Sequence, residues 1–273
     1  MRPERFRYSA GKSARISLIL LGGALLVGAA ARPLCVAQRA ATAPAVSVTP
    51  FTLKTQFRSY EPGDAATNLG NQLIARRADG TTVTLAYPSG KSAAQEYMRT
   101  IVDADGHRID VLDKFHAITK WPANARFVAA VKGRLYASGQ ECLRTPGEFV
   151  AGHAALGGVS VVIVKQFPKG SSGITWWLAP ELACQQLQET FTHVQADGSF
   201  KLASETKFMS IKLGTPDAAL FAVPKSYVTI QPSRALRLAA KQLGQRWNPD
   251  LQAQAEREDR EYARLQQAAK SNH

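Results

Sequence analysis

Alternating apolar and polar residues, interrupted by Asp-Gly dipeptides, dominate the middle of this chain and limit the folds it can adopt. In Phe51–Tyr60 the odd positions are Phe, Leu, Thr, Phe and Ser, and the residues between them are mostly polar. This alternation predicts a strand with one buried and one solvated face. Asp79-Gly80 separates two further segments of this kind, and Asp-Gly readily adopts the positive φ angles of a hairpin turn. Residues 51–230 are therefore predicted to form consecutive antiparallel strands.

The strands predicted in this region number roughly 8–11, at about one strand per 12–15 residues. Val159–Phe167 is a nearly continuous β-branched run, which predicts a central strand covered on both faces. Thr215-Pro216-Asp217 predicts the start of a short helix. Ser92–Gln95 fits either a capping box for a short helix or the start of the strand at Tyr97. The other predicted strands are Leu73–Arg77, Thr81–Tyr87, Tyr97–Val102, His107–Leu112, Phe127–Tyr136, Ile174–Leu178, Gln185–Val194 and Phe200–Ile211.

Residues 1–37 have the pattern of a targeting segment. A basic stretch precedes an uncharged run, Ile16–Ala31, that ends in alanines. This run is short for a membrane span, which needs about 20 apolar residues, and it matches the core of a signal peptide. Cleavage is predicted after Ala37 or after Ala31. The alternative is that residues 1–37 are an uncleaved single-pass membrane anchor. Residues 38–50, rich in alanine, proline, threonine and serine, are predicted to be a linker.

The cysteines predict one disulfide bond. Cys35 lies in or beside the targeting segment, which leaves Cys142 and Cys184 in the folded part of the chain. An even pair in an oxidising compartment predicts a disulfide, and the alternative is two buried free thiols. A catalytic thiol is disfavoured, because neither cysteine lies in a Cys-x-x-Cys motif or next to a histidine in the sequence.

The charge of the chain points to anionic surfaces as partners. The formal net charge is +13 at pH 7. Residues 1–37 carry +5 of it, and the remaining +8 is spread along the strands and tail instead of forming one block. This excess favours phospholipid or lipopolysaccharide headgroups, so an anionic membrane surface is a candidate partner. Nucleic acid is not expected as a partner, because the sequence has no basic helix and no aromatic–glycine RNA-binding signature.

The sequence shows no catalytic or metal-binding constellation. The five histidines have neither the His-x-His nor the His-Glu-x-x-His spacing, and no Gly-x-Ser-x-Gly motif occurs. Asp103, Asp105, Asp110 and Asp113 lack the remaining ligand positions of a calcium loop, and we interpret them as turn residues plus a solvated face. We therefore predict no catalytic residue, no metal site and no cofactor.

The composition changes at residue 232. Residues 232–273 form a basic, charged tail, within which 249–270 is predicted to be a helix that begins after an Asn-Pro-Asp cap. The apolar stripe of this helix is thin, which is typical of a mostly solvated appendage. We expect it to dock weakly or to stay undocked in solvent.

Two short motifs resemble proteins related to the outer-membrane lipoprotein carriers. The first is Trp-Leu-Ala-Pro-Glu-Leu at residues 177–182, and the second is Gly-x-Pro-Asp-x-x-Leu-Phe at residues 214–221, followed by Pro224 and Tyr227. The resemblance covers about residues 173–230. It implies a Lol-type half-barrel, a strongly curved antiparallel sheet over residues 51–231, whose concave apolar face holds acyl chains or an amphipathic polypeptide.

The resulting hypothesis is an exported binding protein without enzymatic activity, in the periplasm or cell envelope, that holds a lipid or a lipidated or amphipathic polypeptide. The first alternative is a periplasmic sensor or protein-interaction module, in which the C-terminal helix supplies the contact. The second alternative is a hydrolase of cell-envelope material. The residues predicted to line the apolar binding face are Trp176, Phe191, Phe200, Leu202 and Phe208.

Overall fold

The structure is a computed structural model, and it describes residues 49–60, 67–87, 98–124, 142–143, 146–167, 172–195 and 197–271. All of these residues belong to one compact unit, Thr42–His273. Residues 1–37, most of the linker 38–50, the motif Ser92–Gln95 and the predicted strand Phe127–Tyr136 lie outside the described residues.

Within the described ranges the chain forms one sheet of twelve strands and two α-helices. The helices are α1, Pro232–Gln242, and α2, Pro249–Ser271. The strands are β1 Phe51–Ser59, β2 Thr67–Arg76, β3 Thr82–Tyr87, β4 Met98–Val102, β5 Arg108–Leu112, β6 Ala117–Trp121, β7 Glu148–Leu156, β8 Val159–Gln166, β9 Ser172–Ala179, β10 Gln185–Val194, β11 Phe200–Leu213 and β12 Val228–Thr229.

The strand order is β12-β6-β5-β4-β3-β2-β1-β11-β10-β9-β8-β7. Two sequential antiparallel meanders, β1 to β6 and β7 to β11, are joined where β1 pairs with β11, and only β12 pairs in parallel among the described strands. These strands form an open sheet, because β12 and β7 lie at its two ends and do not pair with each other. The predicted fold class, a mainly β protein with an open, curved antiparallel sheet and a C-terminal helix, is confirmed.

The strand predicted to be central lies next to one end of the sheet. Val159–Gln166 is β8, and of the described strands β7 alone lies outside it. The prediction of two covered faces is correct, since Val161 packs with Leu182 and Leu187 on one side and Val162 packs with the cysteine pair on the other. The β-branched run therefore indicates that both faces of the strand are buried, but it does not indicate that the strand lies at the centre of the sheet.

The predicted disulfide is present between Cys142 and Cys184, whose Cα atoms are 5.6 Å apart. Both cysteines are buried, at 0% and 2% exposure, in a cluster that includes Trp176 and Leu178. The bond ties the chain before β7 to the corner between β9 and β10.

The C-terminal helices pack on the sheet more closely than the thin apolar stripe suggests. In α2 the buried residues are Leu251, Ala255 and Leu265. The ring of Tyr262 meets Trp121 of β6 edge to face, with centroids 5.3 Å apart. The aromatic pair adds contact area to that of these three apolar residues.

A buried polar network lies beside the same helix. The Asp110 carboxylate accepts hydrogen bonds from the Arg108 Nε, Thr100 Oγ1 and Trp121 Nε1 atoms, each 2.8 Å long. Burial raises the pKa of the Glu258 carboxyl on α2, while a hydrogen bond from Gln254 and the charge of Arg108 oppose that rise. Asp110, predicted to be a turn or surface residue, is therefore a buried structural carboxylate with 3% of its surface exposed.

Neither α1 nor α2 is long and apolar enough to cross a membrane, and these are the two α-helices of the described ranges.

Candidate functional site

Four large hydrophobic side chains are exposed together at one end of the sheet. The described residues contain seven large hydrophobic side chains that are exposed, and Phe149, Phe167, Val194 and Phe200 make up four of them. We call these four residues the phenylalanine surface. Apolar residues scattered singly over a surface are ordinary, whereas a contiguous exposed group marks a binding site for another molecule.

Antiparallel pairing brings these four residues to the same end. Phe149 lies at the start of β7 and Phe167 directly follows β8, whose last residue, Gln166, pairs with Glu148. Val194 ends β10 and pairs with Phe200, the first residue of β11. The turn between β10 and β11 uses Asp-Gly, as predicted.

The ring of Phe167 contacts the rings of both Phe149 and Phe200. The ring centroids of Phe149 and Phe167 are 6.1 Å apart with an angle of 29° between the ring planes, and those of Phe167 and Phe200 are 5.4 Å apart. These separations are typical of favourable aromatic pairs. The rings nevertheless remain 45%, 48% and 55% exposed, so one molecule can contact all three.

The strand register places further residues on the same face. Thr192 lies opposite both Gly173 and Leu202, and residues directly opposite each other share a face of a sheet. Half-buried Leu202 therefore extends the apolar surface inward from Phe200. Lys165, opposite Phe149, provides a cation on that face.

Gly173 makes room for the central ring. A Cβ atom at this position would lie 2.8 Å from the Phe167 Cε1 atom and 2.9 Å from the Thr192 Oγ1 atom. Both distances are shorter than the Cβ atoms of folded proteins tolerate, and the ring or the strand would have to shift. Glycine at position 173 is thus what allows Phe167 to lie across β9.

We expect Gly173→Ala to lower the free energy of unfolding by about 1–2 kcal/mol, because the new methyl group overlaps the Phe167 ring. In a Phe167→Ala background the same substitution should lower the free energy of unfolding by clearly less. The remaining loss would come from the overlap of the new methyl group with Thr192. Urea denaturation of the four proteins in this double-mutant cycle measures the difference. An equal cost in both backgrounds would show that the ring does not depend on Gly173.

The five residues predicted to line one apolar face are divided between several environments. Phe200 belongs to the phenylalanine surface and Leu202 adjoins it. Phe191 is half-buried and packs edge to face with His193, at a centroid distance of 4.9 Å. Trp176 is 2% exposed and its Nε1 atom donates a 2.7 Å hydrogen bond to Glu189. Phe208 packs into the core formed by Phe51, Leu53 and their neighbours.

A β-bulge explains part of this division. Ser204 lies opposite Phe191 and Leu202 lies opposite Thr192, so Ala203 has no partner on β10. Adjacent residues of β10 point to opposite faces. Leu202 and Phe200 therefore face away from the side on which Ser204 and Phe208 lie, although simple alternation along β11 predicts one shared face.

Phe149 and Phe167 were not among the predicted site residues. Phe149 lies on β7, which was not predicted as a strand. Phe167 ends the run Val159–Phe167, which was interpreted as buried on both faces. A usable signal exists for Phe167, because it stands between a strand and Pro168-Lys169-Gly170, where a large apolar residue is exposed unless another segment covers it.

The buried charged groups at the centre of the sheet serve the fold. Arg99 donates to the carbonyl oxygens of Leu220 and Ala222 and to both carboxylate oxygens of Asp113. Arg76 donates to the Leu182 carbonyl oxygen at 3.0 Å. Within the described ranges no three side chains of His, Cys, Asp or Glu converge as metal ligands would. The phenylalanine surface can therefore offer a ligand apolar contact, and Lys165 provides a cation close by.

Several solved structures are distantly similar to this chain. No protein-family model and no curated protein matches it. Among solved structures, an uncharacterised conserved protein from Thermus thermophilus is 10% identical, with a TM-score of 0.38, over 67% of this chain and 90% of that chain. A chain in the MucA/MucB complex of Pseudomonas aeruginosa is 12% identical, with a TM-score of 0.38, over 68% of this chain and 60% of that chain.

A LolA superfamily protein from Nitrosomonas europaea is 8% identical, with a TM-score of 0.28, over 66% of this chain and 91% of that chain. All three TM-scores lie below 0.5, so we infer neither a family nor a ligand from these likenesses.

Proposed function

We propose that this protein is an exported binding protein without enzymatic activity, which holds a lipid or a lipidated or amphipathic polypeptide on the apolar end of its open sheet. The observation that carries the proposal is the phenylalanine surface. Three contacting rings, each about half exposed, form an apolar platform that water solvates poorly.

The size of this platform suits reversible binding. A phenylalanine side chain buries 150–250 Å² when covered, so three half-exposed rings offer roughly 300 Å² of apolar area, or about 7 kcal/mol of gross transfer free energy. The loss of translational and rotational freedom on association offsets much of that value. A ligand held in this way can be released, as a carrier requires.

The disulfide supports the proposed location outside the cytoplasm. Disulfides persist in oxidising compartments such as the bacterial periplasm and are rare in the cytosol. The bond between Cys142 and Cys184 therefore favours a periplasmic or cell-envelope protein, in agreement with the targeting pattern predicted for residues 1–37.

The alternative function, a partner-binding module that uses its C-terminal helix, has weaker support. The apolar residues of α2 that a partner would need, Leu251, Ala255 and Leu265, are already buried. A contact through this helix would have to use its charged face.

Native mass spectrometry of the protein purified from the exported fraction without delipidation tests the proposal. We expect discrete adducts of phospholipid or lipopeptide mass that leave on collisional activation. The Phe167→Ser/Phe200→Ser variant should lose most of the adduct. The Met209→Ser/Leu213→Ser variant is a matched control, because these residues are 51% and 49% exposed but lie outside the phenylalanine surface. An adduct-free wild-type protein, or equal loss in both variants, would refute the proposal.

A further inference from the structure

We infer that the phenylalanine surface is also where this protein docks on an anionic lipid bilayer, with the ends of β7, β8, β10 and β11 directed at the membrane. This inference rests on the proposed function and deepens it, since it names the surface from which the lipid is taken or to which it is delivered. The evidence is the position of the rings, their exposure and the charges beside them.

The phenylalanine surface lies at the end of the sheet. Its residues stand at the start of β7, directly after β8, at the end of β10 and at the start of β11. Side chains at the tip of a sheet can enter the headgroup region of a bilayer together. Partial insertion of phenylalanine side chains at the bilayer interface is favourable.

The other exposed hydrophobic residues lie elsewhere. Leu213 ends β11 at the opposite end from Phe200, Met209 lies beyond the middle of the same strand, and Val228 lies on β12 at the far side of the sheet. The apolar exposure of the described ranges is thus concentrated at one tip, as bilayer docking requires.

Cations accompany the rings. Lys165 lies on the same face as Phe149, and Lys201 directly follows Phe200. Two acids, Glu148 and Asp197, are also at this end. The carboxylate of Asp197 is engaged by the backbone N–H and hydroxyl groups of Ser199, at 2.9 and 2.6 Å.

The net charge of the whole chain is +13, of which the predicted targeting segment 1–37 carries +5 through six Arg or Lys residues and one Glu. The remaining +8 of residues 38–273 makes the long-range interaction with an anionic surface attractive. An anionic bilayer fits this combination better than a neutral apolar partner, because it supplies both an apolar layer and negative headgroups.

Flotation of the full protein with lipid vesicles tests this inference. We expect it to float with vesicles of phosphatidylethanolamine and phosphatidylglycerol, and to float less with vesicles of phosphatidylcholine alone or at high salt. Phe167→Ser/Phe200→Ser should weaken binding about tenfold or more. Lys165→Gln/Lys201→Gln should reduce the preference for phosphatidylglycerol, and Met209→Ser/Leu213→Ser should bind like the wild type. Circular dichroism confirms that each variant is folded.

Three results would overturn the inference: no flotation, equal weakening by the Met209/Leu213 control, or phenylalanine-dependent dimerisation in the absence of lipid. Native mass spectrometry separates this failure from failure of the proposed function. Adducts that persist in a protein that does not float would preserve the binding function and refute docking.

Discussion

Replacement of both bonded cysteines, Cys142→Ser/Cys184→Ser, is expected to lower the free energy of unfolding by about 4 kcal/mol. The bond closes a loop with a sequence separation of 42 residues, and the loss of that constraint increases the entropy of the unfolded chain. The native state also loses a restraint at a strained corner. Cys142 and the consecutive pair Ala183-Cys184 adopt left-handed backbone angles, with φ of 55–56°, which residues other than glycine rarely adopt.

Urea denaturation followed by tryptophan fluorescence measures this effect, because Trp176 packs in the same cluster as the two cysteines. A reducing agent provides the control. It should lower the midpoint of the wild-type protein and leave that of the double variant unchanged. A wild-type midpoint that does not respond to complete reduction would contradict the prediction.

The local part of the fold could be predicted from the sequence. Gln185–Val194 was predicted as a strand and has the same bounds as β10, and Thr81–Tyr87 differs from β3 by one residue. The Asp-Gly turns have the expected positive φ angles at Gly80 and Gly198, of 90° and 80°. These features depend on interactions between residues close in the chain, which the pattern of the sequence records directly.

Long-range pairing could not be predicted. The contact between β1 and β11 joins residues that are far apart in the sequence, and neither strand contains a signal for its partner. Strand β7 was missed because Glu148–Leu156 contains three alanines and a glycine and lacks clear alternation. The bulge at Ala203 reverses the faces of the residues on either side of it, and a pattern of period two contains no information on a single unpaired residue.

The candidate site was predictable only in part for the same reason. Phe200 and Leu202 were predicted to bind ligand, and the structure gives Phe200 an exposed ring. Trp176 was predicted at the same face and is buried, because it packs in the cluster of the cysteine pair. Glu189, opposite it on β10, accepts a hydrogen bond from its indole N–H group. Exposure depends on which segments cover a side chain, and that is a property of the three-dimensional fold.

Replacement of the buried carboxylate by Asp110→Ala is expected to cost about 3–5 kcal/mol of the free energy of unfolding. The side chain of Asp110 is 5% exposed, and its loss leaves the N–H group of Trp121 and the hydroxyl group of Thr100 without this acceptor. Arg108 also loses its 2.8 Å ion pair. Each of these groups lost water on folding, and the hydrogen bond or ion pair to Asp110 offsets the free-energy cost of that desolvation. The substitution removes the bonds, while the desolvation cost remains.

Asp103→Ala is the matched control, because this aspartate lies in the turn of the same hairpin but its side chain is 45% exposed. It accepts hydrogen bonds only within that turn, from Asp105 and His107, and its loss should cost no more than about 1 kcal/mol. Thermal and urea denaturation compare the two variants, and similar costs would refute a structural role for Asp110.

Hydrogen exchange then tests what the Asp110 network supports. Trp121 contacts Tyr262, and the charge of Arg108 acts on Glu258, so the network holds the C-terminal helix α2 against β6. Asp110→Ala should therefore accelerate deuterium uptake in residues 249–271 more than in β10 and β11. Uniform acceleration would mean that the helix is an integral part of the core. Selective release of α2 would identify a helix that can separate from the sheet while the phenylalanine surface remains intact, and its buried apolar residues would then be available to a protein partner.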